Sequence, residues 1–426
     1  MAARITIALA LAAAVCLLGA APGVPQDGKD PRRPNVVVVM TDDQTVESLR
    51  VMPRVDSMLR DEGVEFTNNF ASNPLCCPSR ATYLTGQYPH NHGVLRNVAP
   101  NGGYAALDGS STLPVWLQRA GYATVHIGKY LNGYGREDPA EVPPGWDEWR
   151  GSVDPTTYSM YGYTLNENGA LTTYGDPDVE DPAAYQTDVY ARKAVDVIER
   201  RAPDERPFFL SVAPLAPHGE SDLGADDPPD GEPGPRAAPR HEGAFAAEPL
   251  PQPPSFNEAD LSDKPAEIQA LPPIGPNAAA TIATRYRNRL ETLLAVDDMV
   301  GAIVTALRRA GELDETVIVF TSDNGFLHGE HRIRQGKQHL YEESIRVPLI
   351  IRAPDLPEGA TRTQPVANVD LAATILDYAE ADGERAPDGR SLRRLARDRR
   401  LEPGRAILIE NWCGAREECF DPAVPR

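Results

Sequence analysis

Two adjacent cysteines open the stretch Cys76-Cys77-Pro78-Ser79-Arg80-Ala81-Thr82-Tyr83-Leu84-Thr85-Gly86. Zinc sites separate their thiols so that both reach one ion, and this pair has no such gap. Taken alone, the pair suits buried small hydrophobes or a strained vicinal disulfide. Oxygen-bearing side chains form two matched groups, Asp42-Asp43 and Asp323-Asn324, each one or two residues beyond a β-branched apolar run. Carboxylates with an amide carbonyl make a hard-oxygen set suited to calcium or magnesium. A helix N-cap accounts for one such aspartate but hardly for a pair. Lysine is scarce: Lys29, Lys129, Lys193, Lys264 and Lys337 are the whole set. Against that background Lys129, at the end of an apolar run, reads as a fixed charge. His218 follows another such run and has the side chain best suited to general acid work near neutral pH.

These residues need elements to position them. Asn35 to Met40 is a continuous apolar run, expected as a strand buried on both faces of a parallel sheet. Thr316 to Phe320 predicts a second such strand, with others over Tyr122 to His126, Pro207 to Val212 and Arg346 to Arg352. Open α/β sheets place their sites at the carboxyl ends of strands. If the first two strands are parallel and close, Asp42, Asp43, Asp323 and Asn324 converge. Helical spacing predicts helices over Val51 to Asp61, Leu113 to Ala120, Tyr286 to Arg309 and Asn368 to Ala379. A further helix is expected from Arg80, its anion-favouring N-terminus facing the reacting centre. Asp297-Asp298 interrupts the long apolar stripe and reads as a cap or brace for a neighbour. Residues 226–276, rich in Pro, Gly and acids, are too many for an ordinary connection. They read as an ordered substrate-side excursion with little regular structure, or partly as a mobile flap.

The 426 residues, 41% hydrophobic and 24% charged, suffice for a large core. A net charge of -20 argues against a nucleic-acid partner and requires any anionic substrate to meet a locally basic pocket. Arg4, the apolar run Ile5 to Ala21 and the small residues Gly19-Ala20-Ala21 read as a signal peptide over residues 1–21, with a polar linker over 22–33. No other stretch is suited to a membrane span, so a secreted or extracytoplasmic location is expected. Cys413 and Cys419 lie close enough in sequence to pair in such a compartment.

The Cys76 stretch resembles the sulfatase signature, C-x-P-S-R followed by Leu-Thr-Gly. The resemblance covers about Pro34 to Asn411. It implies the alkaline-phosphatase-like α/β fold, with a mixed, mainly parallel central sheet flanked by helices. It implies a catalytic domain over 34–405 and, over 406–426, the start of an incomplete C-terminal subdomain. In that family the cysteine at the Cys76 position is oxidised to formylglycine by a formylglycine-generating enzyme. One calcium ion is expected on Asp42, Asp43, Asp323, Asn324 and the modified Cys76. Arg80, Lys129 and Lys337 then match positions that meet the sulfate, and His218 the position serving the leaving-group oxygen. The form Gly128-Lys129-Tyr130-Leu131-Asn132 looks like the glucosamine-6-sulfatase and heparan endosulfatase branch; many arylsulfatases carry a histidine where Leu131 stands. Asn132 and His331 are expected as sugar contacts. The implied substrate is a small sulfated sugar, such as N-acetylglucosamine 6-sulfate, or an aryl sulfate. Phosphate or phosphonate esters on the same fold, or an inactive binder of sulfated glycans, are the alternatives.

Overall fold

In the computed structural model, residues 33–221, 234–401 and 404–412 are described. The signal-peptide segment, nearly all of the linker, and Cys413 and Cys419 lie outside them. The central strand is β1 (Asn35–Thr41), buried along its whole length. Its side chains alternate between two cores, as strand geometry requires. Val37 and Val39 enter one apolar cluster, with the helices Gln186–Arg201 and Pro276–Ala310. Val36, Val38 and Met40 enter the other, with the helices Cys76–Thr85, Leu113–Arg119 and Asp370–Ala379.

The other strands are β2 (Val64–Phe66), β3 (Asn69–Phe70), β4 (Ala123–Gly128), β5 (Glu148–Ser152), β6 (Tyr163–Glu167), β7 (Ala170–Tyr174), β8 (Phe208–Ala213), β9 (Thr316–Ser322), β10 (Leu349–Arg352), β11 (Ala360–Arg362) and β12 (Val366–Ala367). Ten of them form one sheet in the order β11-β2-β10-β9-β1-β8-β4-β5-β6-β7, and β3 pairs with β12 separately. The run β9-β1-β8-β4-β5 is parallel throughout. β10 runs antiparallel to both β9 and β2, β11 pairs parallel with β2 at that edge, and the β6–β7 hairpin adds an antiparallel edge on the other side. This is the mixed, mainly parallel sheet the sequence predicts.

Register sets the site. Thr41 lies opposite Ser322 on β9, which brings the next residues, Asp42 and Asp323, level with one another. On the other side Gly128 lies opposite Ala213, and the Lys129 N–H continues the ladder to the Ala213 carbonyl at 2.8 Å. Gly128 has φ +103°, and a Cβ there would stand 2.2 Å from that carbonyl oxygen. Only glycine permits this approach.

Three expected elements differ in extent. The long helix begins at Pro276, not Tyr286, with Pro at its first turn and Gly311 in the left-handed region after its last residue. Its first turns bury little beyond Ile282 and Arg285, so they carry no apolar stripe to detect. The Val51 to Asp61 stretch breaks at Pro53 into a 3-10 turn, a short α turn and a π turn. Asp297 Oδ1 accepts the backbone N–H groups of Arg54 (2.8 Å) and Val55 (2.9 Å) there, the capping role its position suggested. The strand expected from Arg346 is regular only from Leu349, directly after Pro348, which has no N–H to donate to a ladder. Residues 234–275 contain only the short helical turn Ala266–Gln269. They are tied down by the Asn257 N–H to the Gly329 carbonyl (2.8 Å) and by Arg332 to the Glu258 and Ala259 carbonyls (2.9 Å each).

Candidate active site

The carboxyl ends of four adjacent parallel strands deliver the polar residues to one place. β1 ends in Asp42 and Asp43, β9 in Asp323 and Asn324, β4 in Lys129, and β8 runs into the turn that carries His218; all six are buried. The helix Cys76–Thr85 starts at Cys76 itself, four residues earlier than the expected start at Arg80, and Gly86 closes it in the left-handed region. Cys76 is fully buried. Its sulfur lies 3.5 Å from Asp42 Oδ1 and 3.0 Å from Lys337 Nζ.

Three cations and three carboxylates interlock around it. Arg80 donates from Nε to Asp323 Oδ2 (2.7 Å) and from Nη2 to Asp42 Oδ2 (3.0 Å). Lys129 Nζ stands 2.6 Å from Asp42 Oδ2, an ionic contact without hydrogen-bond alignment. Lys337 Nζ donates to Asp43 Oδ1 at 2.8 Å. Asp323 Oδ1 accepts the N–H groups of Asp43 (3.1 Å) and Asn324 (2.8 Å).

The two neighbouring aspartates titrate in opposite directions. Burial works against ionisation of Asp42, but Lys129 and Arg80 outweigh it and hold that carboxyl well below its ordinary range. At Asp43 burial wins over Lys337, and the carboxyl is raised. Burial, helped by Asp42, pushes Asp323 up to about 6. Burial and the nearby Asp42 charge push the Cys76 thiol well up despite both lysines. A protonated, enclosed thiol is a poor nucleophile. Burial and Lys337 bring His218 down to about 3, so its imidazole is neutral. Its Nδ1 lies 2.7 Å from the Gly219 carbonyl, an acceptor only, so Nδ1 carries the proton. Nε2 is left without a hydrogen-bond partner, 3.7 Å from Asp43 Oδ2.

Asp43 Oδ2 and Asn324 Oδ1 are also buried without a partner. Asn324 instead turns Nδ2 to Asp43 Oδ1 at 2.6 Å. Among the described residues, Asp42, Asp43, Cys76 and His218 have potential ligand atoms within 4.8 Å of one another. Orphaned buried oxygens beside an anionic, oxygen-rich set fit a hard divalent cation. Asp323 and Asn324 border this set through the hydrogen bonds just described.

The two expected sugar contacts sit differently. Asn132 is buried, its Nδ2 donating to the Tyr158 hydroxyl (2.6 Å) and its Oδ1 3.2 Å from Cys77 Sγ. With Asn97, whose Oδ1 accepts the Cys77 N–H at 2.8 Å, it also lines a cleft of about 710 Å³ walled by Tyr104, Arg136 and Glu141. His331 pairs through Nδ1 with Glu258 (2.8 Å) and packs on Tyr341, clamping the 234–275 excursion to the loop that carries Lys337.

Sequence reasoning did not find Arg289, Tyr158 or Asn97. Arg289 on the long helix donates to the Asp43 carbonyl (2.6 Å) and covers the Phe326 ring at 4.0 Å. A charged residue between Tyr286 and Leu293 on an apolar face was its one available signal. Tyr158 ends a three-residue 3-10 turn and Asn97 lies in a loop, both too short or irregular to carry a periodic pattern.

The Sulfatase family model matches residues 34–381. The chain belongs to the sulfatase family. It is 37% identical over 413 residues to an arylsulfatase of Volvox carteri, covering 91% of this chain and 62% of that protein. It is 33% identical over 420 residues to the N-acetylglucosamine-6-sulfatase of Homo sapiens, covering 96% and 72%. The chain therefore spans less than two thirds of the algal relative's length. A solved sulfatase in complex with its substrate D-glucosamine-2-N,6-O-disulfate superposes with a TM-score of 0.68 at 27% identity, over 86% of this chain and 81% of that one. A phosphonate monoester hydrolase of Agrobacterium radiobacter superposes with a TM-score of 0.62 at 25% identity, over 87% and 78%. The fold is thus the alkaline-phosphatase-like α/β fold of this family.

Proposed function

We propose that this sulfatase-family protein hydrolyses sulfate monoesters, with sulfated amino sugars such as N-acetylglucosamine 6-sulfate as substrates. The observation that carries the reading is the position of Cys76. Its side chain, at the first turn of a helix, lies between Asp42 and Lys337, level with the carboxyl ends of β1 and β9. Formylglycine made from Cys76 supplies, when hydrated, two hydroxyls on one carbon: one to attack sulfur, the other to expel sulfate and restore the aldehyde. A plain thiol would leave a thiosulfate for water to break.

Asp42, Asp43, Asp323, Asn324 and the modified Cys76 would hold one calcium ion, which supplies positive charge to the sulfate oxygens. The charge balance favours this. Arg80, Lys129 and Lys337 offset three carboxylates, so a bound dication leaves a net positive centre for a singly charged ester. Lys129 and Lys337 would supply ammonium groups to the sulfate oxygens. His218, with its Nδ1–H held by Gly219, would take up at Nε2 the proton released by the attacking hydroxyl and pass it to the leaving-group oxygen. Asn132 and His331 would contribute contacts to the sugar. The fully buried Cys76 requires the formylglycine-generating enzyme to act before folding closes the site. A catalytic domain over 34–405 and secretion after removal of residues 1–21 complete the proposal. Among the described residues no helix is long and apolar enough to cross a membrane.

The test joins mass spectrometry of the Cys76 peptide to catalytic efficiency on 6-sulfated N-acetylglucosamine and on nitrophenyl sulfate. Formylglycine with preference for the sugar supports the reading. Fast aryl turnover with poor sugar turnover marks a permissive arylsulfatase. Turnover of phosphonate esters alone marks the chemistry of the superposed phosphonate hydrolase. An unmodified Cys76 with bound sulfated sugar and no turnover marks a binding protein.

A further inference from the structure

Tyr158 is fully buried at the end of the 3-10 turn Thr156–Tyr158, and it touches two groups of the candidate site. Lys129 Nζ lies 4.7 Å from the centroid of its ring. The imidazole of His218 lies 5.2 Å from the same ring, tilted by 53°. The hydroxyl accepts from Asn132 Nδ2 at 2.6 Å, and the Asn132 N–H in turn lies 3.0 Å from Cys77 Sγ. One ring therefore links the ammonium, the imidazole and the residue beside Cys76.

The backbone around the ring is pinned to the His218 turn. Gln186, buried at the start of its helix, donates from Nε2 to the carbonyls of Thr157 (3.1 Å) and Ser159 (2.9 Å). Its Oε1 accepts the Leu215 N–H at 3.2 Å, and the Leu215 carbonyl accepts the His218 N–H at 2.9 Å. The Ser221 N–H closes the far side on the Tyr158 carbonyl at 3.1 Å. His218 itself has one side-chain hydrogen bond, to Gly219, so its ring tilt depends on what packs against it. An aromatic face also attracts an ammonium, more strongly when the pair is desolvated.

We propose that Tyr158 is a positioning residue for the reaction: its ring sets the place of the Lys129 ammonium and the tilt of the His218 imidazole. The inference rests on the sulfate-ester reading above. The ring matters to two steps in different ways. Lys129 acts on the sulfate of every substrate. His218 acts on the leaving oxygen, which matters for a sugar alkoxide and little for a nitrophenolate.

The test uses full-length, modified protein loaded with calcium and two substrates, 6-sulfated N-acetylglucosamine and nitrophenyl sulfate. Tyr158→Phe keeps the ring and stays within about 3-fold of wild type on both. Tyr158→Leu raises KM for both substrates, lowers kcat at least ~10-fold on the sugar sulfate, and lowers it less than ~3-fold on the aryl sulfate. Equal losses on the two substrates, no loss, or a Tyr158→Phe variant as impaired as Tyr158→Leu overturns the proposal. If Tyr158→Leu does not fold, pentafluorophenylalanine at position 158 keeps the shape and reverses the charge distribution of the ring. A KM above that of Tyr158→Phe then supports the proposal, and an equal KM overturns it. Wild-type protein that turns over neither ester overturns the parent reading and this one with it. An active wild type matched by Tyr158→Leu overturns this one alone.

Discussion

The two ends of one parallel sheet are built from similar residue types and treat them in opposite ways. At the amino end, Asn35 donates to Glu312 Oε2 (2.9 Å) and accepts the Phe208 N–H (3.0 Å), so both ends of its amide are used. Nearby, Glu148 at the start of β5 is gripped by Arg150, Arg200 and Arg201. At the carboxyl end, Asp43 Oδ2, Asn324 Oδ1 and His218 Nε2 are buried and unpartnered. Buried polar atoms are normally satisfied, because leaving one bare costs about 1–3 kcal/mol. The amino end obeys that rule and serves stability. The carboxyl end breaks it at these atoms and at Lys129 Nζ, all within one cluster, where a cation and substrate oxygens would supply the missing partners. The sheet therefore carries a clamp at one end and a site at the other, and strand direction decides which is which.

The sharpest test of this contrast is Cys76→Ala, for which we predict turnover lost by at least ~10⁴-fold with folding retained. Cys77→Ser keeps most activity, since an oxygen can still accept the Asn132 N–H. Rates on both sulfate esters, with intact mass, check the pair, and the reverse pattern would place the reacting residue at Cys77. Asp323→Ala comes next. It strips Arg80 of its Nε partner inside the protein and lowers stability by about 3–5 kcal/mol, and calcium content and activity fall together. Exhaustive chelation of the wild type should do the same to activity, reversed by added calcium. Full activity in the chelated protein contradicts the assigned metal.

At the clamp end the expected effects are smaller and of another kind. Asn35→Ala leaves Glu312 and the Phe208 N–H short of a partner and costs about 1–3 kcal/mol, while kcat/KM of the folded protein is unchanged. Denaturant unfolding beside steady-state rates checks this, and a catalytic defect would erase the distinction between the two ends. Glu148→Gln gives an effect that depends on pH. Burial opposes ionisation of Glu148, but the hydrogen bonds from Arg200, Arg201 and Arg150 bring it from 4.5 to about 2. A lowered folded-state value means the carboxylate stabilises the fold above its unfolded value and ceases to as pH falls through the folded one. The Tm gap between wild type and Glu148→Gln should be constant above pH 5 and shrink between about pH 4.5 and 2. A gap independent of pH would show that the arginines do not favour the charged form.

Much of the site was legible because its residues sit where strand signals end. The β-branched runs before Asp42 and Asp323 identify buried strands by composition alone. The Cys76 stretch and the scarce lysines stand out without any structure. Asn132 and His331 show the limit. Both were expected as contacts to sugar; the structure also ties them into the protein, Asn132 to Tyr158 and Cys77 beside the cleft it lines, His331 to Glu258 and Tyr341. Spacing places a residue near a site but does not say what its side chain meets first. The long helix shows the same limit for boundaries, since its polar, alanine-rich start up to Arg285 has no apolar face to read.

By itself the sequence determined the strands, the family motif and the candidate chemistry of Cys76, because these depend on residue type and on neighbours a few positions away. Tertiary structure alone decided that Thr41 stands opposite Ser322, so that acids 281 residues apart on Asp42 and Asp323 share one arginine. It alone decided that adjacent Asp42 and Asp43 shift in opposite directions, since the difference lies in which cations surround each carboxyl. Register and burial are properties of the packed chain, and no local pattern encodes the field they create.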